Sequence, residues 1–343
     1  MQDNPLPEAC RNLSYIQALD ESLLLNMEED SRIFVMGIGL TESPLVYSTL
    51  KNAAQRWPSR ILNTPISEDA LTGFALGASL GGKIPVTVHM RADFMLLCMN
   101  QLVNIIAPYT YATGKKTPMV FRVIIGRGWG QGYQHSKSLI STLAHIPGLT
   151  VVAPVTPADA KGMLTYALTK AEGPIIFMEH RWLYFAESHV PYENYSTPLQ
   201  SKIVKEGRDV KIMASTWMVV EALKAADIMQ KRGISVGVLD ICNLSHPTFS
   251  LISRWARTTP HTIIADYDWQ FCGLSAELLE EVPGSIRVTW PDAHVPTSRE
   301  KENKFYPNAL TLLRVVEQQL KLPAMSYENE DFYSWENKFK GPF

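Results

Sequence analysis

Short apolar runs alternate with longer helical stretches along the first half of this chain. Arg32–Gly37 (RIFVMG), Ile84–Val88, Met119–Ile125, Thr150–Val152 and Pro174–Met178 are brief and apolar, a pattern that predicts buried strands. Between them, Tyr15–Met27, Asp69–Leu80, Phe94–Tyr111 and Ala158–Lys170 read as helices. The second half repeats the style. Strands are predicted at Val210–Met213, Ser235–Leu239, Thr262–Asp266 and Ser285–Val288, and helices at Met218–Lys231, Phe249–Arg257, Leu274–Val282 and Ala309–Leu322. Strands alternating with helices favour a parallel sheet covered on both faces. A polar, proline-bearing passage, Glu187–Ser201, separates the halves. The expected fold is therefore α/β, with two domains, each a mainly parallel sheet flanked by helices. The boundaries read as 1–185 for the first domain, 186–205 for a linker, 206–323 for the second domain and 324–343 for a tail. That tail mixes acids with Tyr327, Phe332, Tyr333, Trp335, Phe339 and Phe343. Such a tail either straps onto a partner or its own domain or is disordered, and because aromatic rings bury much area the strap is the expectation.

Composition narrows the function classes. Of 343 residues, 46% are hydrophobic and 19% charged, the profile of a globular protein with ample core material. The 34 acidic and 32 basic residues leave a net charge of −2 without a long basic block. That balance gives no support to a charge-driven role on nucleic acid or a membrane surface. No apolar run approaches the roughly 18 residues of a membrane span. Cys10, Cys98, Cys242 and Cys272 are isolated, at neither metal-site nor redox spacing, and no metal-ligand set is assigned. Reduced thiols, with no basic-then-apolar signal at the start, predict a cytoplasmic location.

Two segments carry candidate chemistry. In Ile61–Leu80 (ILNTPISEDALTGFALGASL), Ser67 is placed as a helix N-cap, with Glu68 and Asp69 in the first turn, where acids offset the positive helix end. Local sequence alone explains Glu68 by that offset. Gly73, Gly77 and Gly81 follow at four-residue spacing, a smooth stripe that would let another backbone approach. In Arg122–Ser138 (RVIIGRGWGQGYQHSKS), a strand runs into Gly126, Gly128, Gly130 and Gly132 and then His135. The spacing fits neither a P-loop nor a dinucleotide fingerprint. A glycine loop after a strand leaves His135 equally open to a structural and a catalytic reading.

The strings NTPISEDALTGFALGASLGGKIPV and QHSKSLISTLAHIPGLTVVAPVTPADAKGML resemble the β subunits of 2-oxo acid dehydrogenase first components, of the pyruvate and branched-chain types. Weaker similarity continues to about residue 322. The resemblance implies a thiamine-diphosphate-binding pyrimidine domain followed by a transketolase C-terminal-like domain. It gives Glu68 the role of contacting a ring nitrogen of the cofactor's aminopyrimidine. It aligns Phe94 with the aromatic residue that stacks on that ring, where the alternative is plain core packing at a helix start. It places His135 beside the substrate, in proton transfer or charge stabilisation. The chain has no Gly-Asp-Gly. The resemblance therefore implies that diphosphate and magnesium sit on a separate α-type subunit, in an α2β2 heterotetramer. No lipoyl-attachment segment is present, so an acyl carrier would be another protein.

Several positions depart from the family. Ile38 and Gly39 stand where an acidic pair follows the first strand. Arg91 and Asp93 bring charge to the expected pyrimidine site, Trp129 and Tyr133 add bulk to the glycine loop, and Asp266 stands where glutamate is frequent. The family's structural monovalent cation is not assigned. Three readings follow: a 2-oxo acid decarboxylating subunit, a split transketolase-like or acyloin-forming carboligase subunit, and a non-catalytic scaffold, against which Glu68 and His135 both argue.

Overall fold

The computed structural model describes residues 10–42, 46, 48–126 and 130–333; Gly128, Trp129, Trp335, Phe339 and Phe343 lie outside the described residues. The chain divides into two compact units. Residues 1–125 and 146–199 form the first, and residues 126–145 and 200–343 the second.

Unit 1 holds a six-stranded, wholly parallel sheet in the order β3-β2-β4-β5-β7-β6. Its strands are β2 Ile33–Gly37, β3 Ile61–Asn63, β4 Ile84–His89, β5 Met119–Ile125, β6 Thr150–Val152 and β7 Pro174–His180. Every residue of β4, β5 and β7 is buried, as continuous apolar runs demand when helices cover both faces. Helix α1, Tyr15–Glu29, starts at a capping box. The Ser14 hydroxyl accepts from the Gln17 N–H at 3.3 Å, and the Ser14 N–H donates to the Gln17 side chain at 2.8 Å. A short helix α2 follows at Lys51–Arg56. Helix α3, Glu68–Leu80, turns Leu71, Ala75 and Leu76 inward.

The predicted helix Phe94–Tyr111 is instead four pieces: α4 at Ala92–Met95, a 3-10 turn at Leu96–Cys98, a π-helical stretch at Asn100–Ile106, and α5 at Ala107–Thr113. Pro108 explains the break. It has no N–H, and its ring would meet the carbonyl of Asn104 in an ordinary helix, so the ladder widens and Ala107 N–H reaches back to Leu102 O. Helix α6, Ile140–Ala144, belongs to unit 2; α7, Pro157–Thr169, to unit 1.

The passage read as a linker contains two strands. β8, Glu187–Pro191, pairs antiparallel with β1, Cys10–Ser14, from Cys10↔Pro191 to Ser14↔Glu187. Their mixed polarity hid both from a search for apolar runs. The buried Lys161 ammonium secures this arm, donating to Glu21 at 2.6 Å and to Pro191 O at 2.7 Å.

Unit 2 has a five-stranded sheet, β13-β12-β10-β11-β9. Strands β10 Val210–Ala214, β11 Val236–Asp240, β12 Thr262–Trp269 and β13 Ile286–Trp290 are parallel, and β9 Lys202–Lys205 is an antiparallel edge. Strand β12 runs three residues past its predicted end, and its register with β13 shifts between Ala265 and Trp269. Helices α8 Trp217–Gln230, α9 Phe249–Ala256, α10 Leu274–Glu281, α11 Arg299–Phe305 and α12 Ala309–Gln319 complete it. The described part of the tail straps onto its own unit. Phe332 is buried, Tyr327 donates to Glu317 at 2.6 Å, and the Arg314 guanidinium lies 5.0 Å over the Tyr327 ring.

Candidate active site

In open parallel sheets, ligands bind beyond the carboxyl ends of the strands. In unit 1 that edge carries the turn after β2, the exit of β3 into α3, and the exit of β4 into α4. Two contacts join the first two. Thr64 N–H donates to Gly37 O at 2.9 Å, and Leu40 N–H donates to the Asn63 side chain at 2.8 Å. A Cβ on Gly37 would lie 2.8 Å from Val88 O, so only glycine lets β2 and β4 leave the sheet this close together.

Glu68 opens α3 directly after this junction. Ser67 occupies the N-cap position, but with φ −165° and ψ 88° its hydroxyl makes no capping bond, contrary to expectation. The acids Glu68 and Asp69 are left to offset the helix's positive end. Glu68 is buried, 8% exposed, while Pro65, Ile66, Ser67, Asp69 and Ala70 around it are exposed. Among the described residues its carboxyl has no hydrogen-bond or ion-pair partner.

Phe94 lies in α4, beyond the end of β4, and is half-buried. Since β3 and β4 flank β2, Glu68 and Phe94 leave the same sheet edge on either side of the Ile38–Gly39 turn. Gly39 has φ +63°, a conformation that favours glycine, and its missing Cβ would be 3.9 Å from Met90. The structure thus brings Glu68 and Phe94 to one edge. His135 belongs to unit 2 and is half-buried there.

The same edge of unit 1 holds groups that the sequence search passed over. His89 ends β4 at 2% exposure, with both ring nitrogens lacking a hydrogen bond among the described residues; burial pushes it down to about 4, so it is neutral at pH 7. His180 ends β7, and Arg181 follows it at 2% exposure. Burial, and then the charge of the buried Arg91, push the Arg181 guanidinium down to about 9. The available signal was position: each is the last residue of a parallel strand or the one just after it.

The glycine stripe of α3 meets no other backbone of this chain among the described residues. The position of a Gly73 Cβ faces the Gln101 side chain at 3.5 Å, and that of Gly77 faces open space. Nearby Ile66, Phe74 and Leu97 are 81%, 60% and 60% exposed.

In unit 2, a cavity of about 360 Å³ is lined by Ser141, His145, Ser245, Phe249, Cys272 and Glu277, among others. Within β12, burial and the charge of Asp268 push the Asp266 carboxyl up to about 7. Asp266 accepts from the Ser275 N–H at 2.9 Å and from the Ser215 hydroxyl at 3.2 Å.

The family profile described as "Transketolase, pyrimidine binding domain" matches residues 11–186, and that described as "Transketolase, C-terminal domain" matches residues 199–309. The acetoin:2,6-dichlorophenolindophenol oxidoreductase subunit beta of Cupriavidus necator is 31% identical, over 91% of this chain and 98% of its own. The mitochondrial pyruvate dehydrogenase E1 component subunit beta of Saccharomyces cerevisiae is 28% identical, over 91% and 90%. The 2-oxoisovalerate dehydrogenase subunit beta of Bacillus subtilis is 32% identical, over 67% and 71%. A solved structure of a split-gene transketolase, described as an inactive beta4 tetramer, has the same fold. Its TM-score is 0.73 at 23% identity, covering 91% of this chain and 99% of that one. The two profiles in this order, the two sheets and the full-length relatives agree: this chain belongs to the family of 2-oxo acid dehydrogenase first-component β subunits.

Proposed function

We propose that this chain is the pyrimidine-binding half of a thiamine-diphosphate-dependent 2-oxo acid decarboxylating enzyme, with Glu68 as the carboxyl that activates the cofactor. The observation that carries the reading is Glu68, a buried residue whose carboxyl has no hydrogen-bond partner among the described residues, at the sheet edge it shares with Phe94. These residues fit the pyrimidine end of the cofactor. Glu68 Oε would hold a proton against a ring nitrogen, which an amide in its place is unable to exchange. The Phe94 ring offers an apolar face for stacking on a flat heterocycle. His135 would donate to, or hold charge on, the substrate oxygen from its loop. When bound, the cofactor supplies the nucleophilic carbon and the electron sink for loss of carbon dioxide.

The sequence has no Gly-Asp-Gly. Diphosphate and magnesium are therefore assigned to an α-type partner, in an α2β2 assembly, with a separate lipoyl carrier as one acyl acceptor. The exposed Ile66, Phe74 and Leu97 support a subunit interface on unit 1, since exposed apolar patches mark association surfaces.

A second reading concerns the substrate. The Cupriavidus relative is named for acetoin, and it matches 91% of this chain. That favours an acyloin as the carbon source, or an acyloin-forming carboligase. The test is co-expression with an α-type partner, followed by pyruvate, branched-chain 2-oxo acids and acetoin, each assayed with a lipoyl domain, dichlorophenolindophenol or an aldehyde acceptor. Turnover on a 2-oxo acid only in the complex supports the first reading. Turnover on acetoin alone moves the assignment to the second, and tight cofactor binding with turnover by this chain alone defeats the split site.

A further inference from the structure

The segment carrying His135 leaves β5 of unit 1 and returns to β6 of unit 1, yet residues 126–145 are part of unit 2. Its contacts show what holds it. A Cβ on Gly132, at φ +55°, would come within 2.5 Å of the Thr297 hydroxyl, so the loop lies directly on that side chain. The Tyr133 ring packs tilted against His294, 6.4 Å between centroids. After the histidine, Ser136 and Ser138 are buried, and Leu139 takes φ +52°, a left-handed conformation that leucine does not adopt unless its surroundings impose it. Two residues later comes the polar anchor. The Asp268 carboxylate Oδ2 accepts from both the Ser141 N–H, at 3.0 Å, and the Ser141 hydroxyl, at 2.7 Å. Asp268 sits 3% exposed in the irregular stretch where β12 slips against β13, and its Oδ1 accepts from the Trp269 N–H at 2.9 Å. Irregular strand ends of this kind re-aim side chains beside functional sites.

We propose that Asp268 is the positioning residue for His135: by gripping Ser141 with one carboxylate oxygen, it holds the strained Leu139 turn and fixes the presentation of the histidine six residues upstream. The inference rests on the reading of His135 as a substrate-side group. It makes the second domain responsible for the geometry of the loop that carries His135.

The test is a double-mutant cycle in the complex assembled with its α-type partner, assayed with pyruvate and dichlorophenolindophenol or with acetoin and the same dye. It is combined with hydrogen–deuterium exchange across residues 130–145 of the full chain. Asp268→Ala is expected to lower turnover about 10²-fold, the scale of a misplaced catalytic group, in the same kinetic parameter that His135→Ala lowers. In a His135→Ala background it should add almost nothing, and exchange should rise across 130–145 while the rest of unit 2 stays protected. Should Asp268→Ala fail to fold, Ser141→Ala removes one of the two bonds from the other side and is read in the same cycle. An Asp268 effect equally large with and without His135, or loop exchange unchanged in both variants, overturns the positioning role. Normal turnover in His135→Ala overturns the role of the histidine, and this inference with it.

Discussion

Among the described residues, unit 1 buries two glutamates and treats them in opposite ways. Glu179, fully buried in β7, is held by three donors: it accepts from Arg122 Nε at 2.5 Å, from the second Arg122 nitrogen at 2.9 Å and from the Tyr184 hydroxyl at 2.8 Å. Arg122 also donates to Thr49 at 2.9 Å, and the Tyr184 ring stacks on Tyr15. Glu68, buried almost as well, has none of this. A carboxylate held by three donors, two of them from one guanidinium, holds structure together; one left open at a sheet edge is available to a ligand. Burial alone does not distinguish them, and the partner inventory does.

The contrast is sharpest at Glu68. Glu68→Gln keeps the shape and removes the exchangeable proton, so turnover of the assembled enzyme should fall about 10²- to 10⁴-fold with the thermal midpoint of the chain unmoved. Near-normal turnover would reduce Glu68 to a helix-start acid. At Glu179 the pattern should invert. Glu179→Gln strands a buried guanidinium and is expected to cost about 3–5 kcal/mol in denaturant unfolding, while turnover per folded molecule holds. Replacing both partners, as Arg122→Met with Glu179→Met, should recover most of that loss; if the double variant is as unstable as the single, the pair contributes more than mutual satisfaction.

A third buried acid extends the comparison into unit 2. Asp266 is raised above its unfolded value, so between about pH 4 and 7 the native state binds a proton that the unfolded chain has released. Its stabilising contribution is complete below about pH 4 and is lost as pH rises through about 7. Stability should therefore fall with pH in that window by up to about 1.4 kcal/mol per unit, and Asp266→Asn should flatten the slope. The smallest effect is expected at Phe94. Phe94→Leu keeps apolar volume but removes the ring face, and titration calorimetry of the assembled enzyme should show thiamine diphosphate bound up to about tenfold more weakly. An unchanged affinity would return Phe94 to core packing.

Most of both sheets was legible because buried parallel strands are continuous apolar runs, and β5 and β6 match the runs Met119–Ile125 and Thr150–Val152 residue for residue. The missed strands share a cause: β1, β3, β8 and β9 are partly exposed edge strands, held by pairing partners distant in sequence. The single helix expected from Phe94 to Tyr111 took no account of Pro108. Among the candidate residues, the motif strings pointed to Glu68, Phe94 and His135. They passed over His89, His180 and Arg181, which have no motif and acquire meaning only from standing at the carboxyl edge of the sheet.

By itself the sequence determined the alternation of elements, the two-sheet plan and the family to which the chain belongs, since these depend on local periodicity and on collinear strings of residues. Tertiary structure decided which acids are free and which are bound. Glu68, Glu179, Asp266 and Asp268 look alike in the sequence, and their roles follow from groups that pairing and packing bring from elsewhere in the chain: Arg122 lies 57 residues from Glu179, and Ser141 lies 127 residues from Asp268. It also decided that the His135 segment, strung between two strands of unit 1, takes its conformation from unit 2, because Thr297, His294 and Asp268 supply the contacts that fix it.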